Sequence, residues 1–362
     1  MIRLGILGCS EIAFRRFMPA VQNVEGIEVI AVAEEYAPAK LDAFCEAYPM
    51  DRETSFETLI KREDIDAVYV PQPPAMHYKW AKMALECGKH VLIEKPSTTS
   101  YRDSSDLVEI ARERRLALHE NYMFQYHSQI RAIKELVAAG KIGDVRLLRA
   151  DFGFPLRQKN DFRYSKALGG GALLDAAGYT VKLATLFLGS TIHVDTAAMT
   201  GLPGYEVDML GNATLSNDRG LVCQIGYGMD CGYRCSLEIW GSKGRILTNR
   251  IFTAPPDYRP TAQIETASGT ETVEFEADAH FEHSIREFVR EVQDPEKRNA
   301  MYDSILLQSK LIDEIREKNI NAEKDSWDAI ASEITGVANN LVKVADGVSM
   351  ILKRLEEKVK EQ

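Results

Sequence analysis

A lysine set directly after a buried strand is a candidate for chemistry, and Lys95 ends the apolar run His90-Val91-Leu92-Ile93-Glu94. In open α/β sheets ligands bind outside the carboxyl ends of the strands, so this ammonium would stand at a binding crevice. Asp175 and Tyr179 form a second set, i and i+4 in an apolar helical stretch, and so share one helix face. A third is the turn Gly8-Cys9-Ser10-Glu11-Ile12-Ala13, which follows the apolar run at residues 2–7. A dinucleotide site needs a strand, a tight turn and a helix whose N-terminus faces the pyrophosphate. Against the pattern G-x-G-x-x-G/A, Ser10 stands at the second glycine and Ala13 at the third.

Ribose choice is read near the end of the second strand, where this chain carries Glu34-Glu35. A carboxylate there accepts hydrogen bonds from ribose hydroxyls and repels a 2′-phosphate, which favours NAD(H) over NADP(H). Glu35 is equally readable as a solvated surface charge. Arg15 and Arg16 on the first helix are phosphate candidates, with solvated helix charges as the plainer reading.

The elements that would position these groups follow from hydrophobic period. Apolar β-rich runs at 2–7, 27–33, 66–71, 90–94 and 116–119 alternate with helical spacing at 11–22, 37–47, 76–87 and 101–114. Strands separated by such helices imply parallel βαβ units, so residues 1–120 read as a Rossmann dinucleotide-binding domain. Helix at 125–139, a strand at 145–154 and helix at 171–188 come next, followed by short strands over 192–277 and helix at 281–318. Residues 121–320 therefore read as an α+β substrate-binding and oligomerisation domain with a large open, mostly antiparallel sheet, whose closing helices can return to the first domain. In the tail, 321–362, Trp327, Ile330, Ile334, Val337, Leu341, Val344, Val348, Ile351 and Leu355 are spaced three and four apart. This reads as an extra C-terminal amphipathic helix, either packed on its own domain or joining subunits.

The chain has 362 residues with 45% hydrophobic content, enough for two domains with cores of their own. Its 54 acidic residues against 44 basic ones give a formal charge of −10, which argues against general nucleic-acid binding. No run approaches the roughly 20 apolar residues of a membrane span, and the N-terminus lacks signal-peptide features. The scattered cysteines form no CxxC pair and no cluster has metal-ligand spacing, so the expectation is a cytoplasmic protein without a metal.

The segment Gly88-Lys89-His90-Val91-Leu92-Ile93-Glu94-Lys95-Pro96, read with Val70-Pro71-Gln72-Pro73-Pro74-Ala75-Met76-His77, closely resembles the glucose–fructose oxidoreductase/inositol dehydrogenase (Gfo/Idh/MocA) family. The likeness runs from residue 2 to about 320. That family also carries Asp-x-x-x-His on a helix after a Gly-rich start. Here Gly169-Gly170-Gly171 leads to Asp175, and Tyr179 stands where the histidine would be. The tyrosine is similar to the subgroup of NDP-hexose 3-ketoreductases, as are Glu120-Asn121-Tyr122-Met123-Phe124, His127-Ser128-Gln129 and Asp161-Phe162-Arg163-Tyr164.

The resemblance implies a nicotinamide-dependent oxidoreductase acting on a sugar or nucleotide sugar. It implies a cofactor site at Gly8 to Ala13, Glu34, Pro71, Gln72, Pro73, His77, Glu94, Lys95, Pro96, Asn121 and Arg163. Tyr122, Phe124, His127, Asp175 and Tyr179 would line the sugar site, with Arg163 holding a phosphate. Members of the subgroup tend to use NADPH, which conflicts with Glu34-Glu35. Reducing a ketone needs hydride at carbon and a proton at the developing alkoxide. A phenol ordinarily titrates near 10 and a nearby ammonium lowers it, so Lys95 would bond the substrate oxygen while Tyr179 donates the proton. Asp175 would orient the substrate. Two other functions share this scaffold: an NAD-dependent dehydrogenase of free sugars, cyclitols or dihydrodiols, and a nicotinamide-sensing regulator without turnover. The open sheet and heptad tail lead to an expected homodimer or homotetramer.

Overall fold

Val- and Ile-rich runs pair into a six-stranded parallel sheet at the N-terminal end of the computed structural model, which describes residues 1–321. Its strands are β1 (Ile2–Leu7), β2 (Ile27–Ala33), β3 (Asp51–Glu53), β4 (Ala67–Val70), β5 (His90–Glu94) and β6 (Leu118–Asn121), in the order β3-β2-β1-β4-β5-β6. The order reverses at β1, so the crevice beyond its carboxyl end is the place where a doubly wound sheet takes its ligand. The crossovers are α1 (Met18–Val21), α2 (Pro38–Ala47), α3 (Phe56–Lys61), α4 (Pro74–Glu86) and α5 (Tyr101–Arg114). The first helix differs from expectation: a π-helical turn, Ala13–Phe17, precedes α1.

After α6 (Ser128–Ala138) the chain builds an eight-stranded sheet from β7 (Val145–Gly153), β8 (His193–Gly201), β9 (Asp208–Ser216), β10 (Val222–Gly228), β11 (Arg234–Gly241), β12 (Gly244–Asn249), β13 (Thr261–Thr266) and β14 (Gly269–Glu274). The order is β14-β13-β12-β11-β7-β10-β9-β8, antiparallel except that β7 and β10 run parallel. One face packs on α7 (Gly178–Leu188), which begins in a second π-helical turn, Leu173–Ala177. Among the described residues nothing packs on the other face. Along β11, Cys235, Leu237 and Ile239 are buried, whereas Trp240 on the opposite face is 54% exposed.

The helix expected over 281–318 is two helices, α8 (His280–Gln293) and α9 (Pro295–Glu317). Pro295 has no N–H to continue the ladder, and the Asp294 carboxylate accepts from Glu296 N at 2.9 Å to start a new helix. α9 packs on α5, α7, β6 and β8, tying both sheets into one body. The stretch Lys166–Leu188 is long and apolar enough to cross a membrane, but 83% of its most apolar 18 residues are buried, as in a core helix. The heptad seam expected at 323–362 lies outside the described residues.

Candidate active site

The cofactor edge is built around Gly8. Its φ of +114° is open to glycine, and a Cβ there would fall 2.4 Å from Gln72 Nε2. Gln72 donates to Leu7 O and fixes the mouth of the turn. Ala13 N donates to Ser10 Oγ and Phe14 N to Ser10 O, so the serine at the second glycine position caps the helical turn. The Cys9 side chain is buried, whereas Glu11 is exposed and pairs with Arg15. Glu34, at the carboxyl end of β2, accepts from Cys9 N at 2.9 Å, Tyr36 N at 2.9 Å and Ala37 N at 3.2 Å. Its carboxylate accepts from three backbone donors, and among the described residues no ion pair is made to it. Glu35 turns away and accepts from Phe56 N. The residues at this edge fit a dinucleotide: a strand, a turn that bars a side chain, a helix start and a carboxylate at the end of the second strand.

Two loops are pinned together behind the edge. His77 Nδ1 lies 2.8 Å from Pro96 O and Nε2 lies 2.6 Å from Gln72 O. Burial pulls this imidazole down to about 4, so the ring is neutral and donates one of the two bonds. Lys95–Pro96 is a cis peptide.

Lys95 projects from this loop into the second sheet's layer. Its Nζ donates to Asp175 Oδ1 at 2.8 Å and to Asp175 O at 3.0 Å, and stands 4.8 Å from the centroid of the Tyr179 ring. Arg163 Nε donates to the other oxygen, Asp175 Oδ2, at 2.7 Å. Burial works against the Asp175 carboxylate, but the Lys95 and Arg163 charges outweigh it and hold it well below the ordinary range. Close backbone approach makes the meeting feasible. A Cβ on Gly170 would strike Arg163 O at 2.3 Å, and one on Gly178 would strike Tyr122 Oη at 2.1 Å.

Tyr179 sits in an aromatic wall. Phe152 lies 5.1 Å, Tyr122 5.5 Å, Phe124 5.8 Å and Phe252 5.8 Å from it, centroid to centroid. Its hydroxyl points at Met123 Sδ, 4.0 Å away, a weak acceptor. The expectation that Lys95 lowers this phenol is corrected. Burial, followed by the Glu94 and Asp175 charges, pushes it well above its usual value. The Lys95 charge is compensated by Asp175, so Tyr179 is held as a neutral phenol.

Other expected residues have other employment. Arg163 is not free for a phosphate, being paired with Asp161 and Asp175. Glu94 and Asn121 are buried and bonded to each other at 2.7 Å, with Tyr69 Oη donating to the same Glu94 oxygen. Tyr122 and Phe124 are fully buried, packing behind Tyr179. His127 is not brought to the pair: it caps α6 through Gln129 N and packs on His280. Pro71 and Pro96 are buried at the ends of β4 and β5, with Pro73 capping α4. Sequence reasoning missed Phe152 on β7 and Phe252 in the turn after β12, which both pack on Tyr179. It also missed the buried pair Glu120–Lys182, 3.2 Å apart, in which Glu120 also accepts from Ser97 N beside the Lys95 loop. Among the described residues no group of three or more His, Cys, Asp or Glu could hold a metal ion, and the described cysteines are free thiols.

Comparison with known proteins adds to this geometry. Residues 2–122 match the family model described as "Oxidoreductase family, NAD-binding Rossmann fold", and residues 130–247 match that of the GFO/IDH/MocA C-terminal domain. The chain is 37% identical over 320 residues to dTDP-3,4-didehydro-2,6-dideoxy-alpha-D-glucose 3-reductase of Saccharopolyspora spinosa, covering 87% of this chain and 96% of the relative. It is 38% identical to the enzyme of that name from Actinomadura kijaniata, covering 87% and 95%. A crystal structure of a 3-ketoreductase from Actinomadura kijaniata with NADP and TDP-benzene superimposes with a TM-score of 0.85 at 37% identity, covering 88% and 98%.

Proposed function

This chain belongs to the Gfo/Idh/MocA family of NAD(P)-binding oxidoreductases, and we propose that it reduces the keto group of a nucleotide-linked keto-hexose. The observation that carries the proposal is the meeting of Lys95 and Tyr179, 4.8 Å from ammonium to ring centroid. The names of the relatives, sugar 3-reductases, support the substrate class.

When bound, the reduced nicotinamide supplies a hydride to the carbonyl carbon. The residues of this chain supply the rest. Lys95 Nζ has a donor left for the substrate oxygen after its two bonds to Asp175. Tyr179 gives its hydroxyl proton to the oxygen as negative charge develops there, and the ammonium over the ring face stabilises the phenolate that results. Asp175 and Arg163 act as positioning residues that hold Lys95. Tyr122, Phe124 and Phe252 keep the phenol in place and water out. His77 sets the distance between the two loops that flank the cofactor, which Gly8 to Ala13, Glu34, Pro71 to Pro73 and Glu94 to Pro96 would hold.

Two finer readings accompany this. The negative charge of Glu34 at the end of β2 favours NAD(H) over NADP(H), unlike the relative crystallised with NADP; a kcat/KM for NADPH above that for NADH would overturn it. The open outer face of the eight-stranded sheet, with Trp240 exposed, supports a homo-oligomer; a monomer mass by light scattering would count against it.

The test is oxidation of reduced nicotinamide with a dTDP-linked keto-hexose prepared enzymatically. Turnover on that substrate and none on free keto sugars is expected. Oxidation of free polyols with no gain from a nucleotide would replace this reading with a free-sugar dehydrogenase. Nicotinamide binding without turnover on any keto sugar would replace it with a sensor.

A further inference from the structure

Strand register brings two guanidiniums to the edge of the sheet that carries the aromatic wall around Tyr179. In the eight-stranded sheet Phe152 pairs with Cys235 and Gly153 with Arg234, while Ser236 pairs with Asn249. The face of β7 and β11 that holds Phe152 and Cys235 is the face that walls Tyr179. Phe154 and Tyr233 follow just outside the ends of β7 and β11, and their contacts tie them to that face. Phe154 packs on Phe152 at 5.7 Å. Tyr233, 48% exposed, bonds Thr253 Oγ1 at 2.8 Å, and Thr253 Oγ1 lies 3.6 Å from Cys235 Sγ.

Each of these rings carries an arginine. Arg157 Cζ lies 5.1 Å from the Phe154 centroid and Arg250 Cζ 4.7 Å from the Tyr233 centroid. Both arginines are exposed, and among the described residues neither has an ion-pair partner. Their neighbours differ: Arg234 pairs with Asp151 at 3.1 Å and Arg163 is enclosed by Asp161 and Asp175. Arg250 also has φ +59°, a backbone conformation that bulky residues rarely adopt. Arg250 Nη1 donates to Tyr233 Oη at 3.2 Å, leaving the rest of its fork unengaged.

We propose that Arg157 and Arg250 form the diphosphate subsite for the nucleotide-linked substrate, in place of the neutralised Arg163. The proposal rests on the reading of the substrate given above. A sugar whose reacting carbon lies at Tyr179 has its anomeric end directed out of the pocket, where a diphosphate needs planar, unpaired cations. The aromatic faces under the guanidiniums pre-orient them, and the strained Arg250 backbone aims its fork from the end of β12.

The probe is thymidine diphosphate, titrated by calorimetry into protein saturated with oxidised nicotinamide cofactor. Arg157→Gln and Arg250→Gln should each weaken binding about 10- to 100-fold, the loss of one charge-assisted contact. Cofactor affinity and melting temperature should stay at wild-type values. Arg250→Lys, which keeps charge but not the fork, should recover part of the loss. Wild-type affinity for thymidine diphosphate in both Gln variants would overturn the subsite while leaving the ketoreductase reading intact. A wild-type protein that does not bind thymidine diphosphate would remove the nucleotide-linked substrate itself, and the subsite with it.

Discussion

The Lys95 ammonium lies over the face of the Tyr179 ring, 4.8 Å from its centroid, while its hydrogen bonds go to the Asp175 carboxylate at 2.8 Å and to the Asp175 carbonyl. The lysine comes from the loop after β5 and the phenol from α7, so the contact joins the parallel sheet to the helical layer of the second sheet. Because burial, with the Glu94 and Asp175 charges behind it, pushes the phenol well above its usual value, Tyr179 keeps its proton, which is the state a proton donor requires before hydride transfer.

Removing that ammonium is expected to act on turnover. Lys95→Met, which keeps the stem, should lower kcat/KM by roughly 10³-fold, in the range of losing a preorganised charged donor. The Kd of the cofactor, read by quenching of its fluorescence, should change little. A variant with wild-type kcat/KM would exclude Lys95 from the chemistry.

Arg163 holds Asp175 Oδ2 at 2.7 Å and contributes to the depressed pKa of that carboxylate. With Arg163→Met one of the two cations is gone, so the Asp175 pKa rises. Protonation of Asp175 then releases Lys95 at a higher pH than in the wild type. The acid limb of the kcat/KM profile should therefore move to higher pH. An unmoved limb would show that the clamp plays no part in holding Lys95.

The buried pair Lys182–Glu120, with both side chains almost wholly enclosed, predicts a large and asymmetric stability effect. Lys182→Met leaves Glu120 charged and unpaired, at a cost of about 3–5 kcal/mol in urea unfolding. Adding Glu120→Gln removes the stranded charge, so the double variant should recover most of the loss. Equal destabilisation in the single and double variants would contradict this account.

His77 predicts a pH dependence of folding. Its imidazole titrates at about 4 in the folded protein and near 6.5 when unfolded, so the unfolded chain holds the extra proton between those values. Stability is fully present above about pH 6.5 and falls as the pH drops toward 4, by roughly 3 kcal/mol for this residue. Thermal melts at pH 7.5 and pH 5 should separate, and His77→Asn should narrow the gap. A gap that His77→Asn leaves unchanged would sink the assignment.

Much of this was legible in the sequence where composition and period agree. β1, β5 and α5 follow from Val- and Ile-rich runs and from Ser100, whose hydroxyl accepts from Asp103 N. β3 was not legible: Asp51-Arg52-Glu53 has no apolar pattern and joins the sheet through its backbone. The π-helical turns at 13–17 and 173–177 use the same residues as an α-helix, so spacing does not reveal them. In the site, Lys95, Asp175 and Tyr179 carried a local signal, and the Gly169-Gly170-Gly171 run marked the start of the helix that bears two of them. The partners of each group did not. Arg163 reaches Asp175, and Phe152 and Phe252 reach Tyr179, through tertiary packing, which is also why the direction of the Tyr179 shift was misread.

Tyr179→Phe tests the central claim most directly, since it removes one hydroxyl whose nearest partner is Met123 Sδ at 4.0 Å and leaves the aromatic wall intact. In single-turnover reduction of a dTDP-linked keto-hexose, the account predicts normal ligand binding and a rate about 10²- to 10⁴-fold below wild type, the span of a lost general acid. A variant that reduces the keto sugar at the wild-type rate would contradict it.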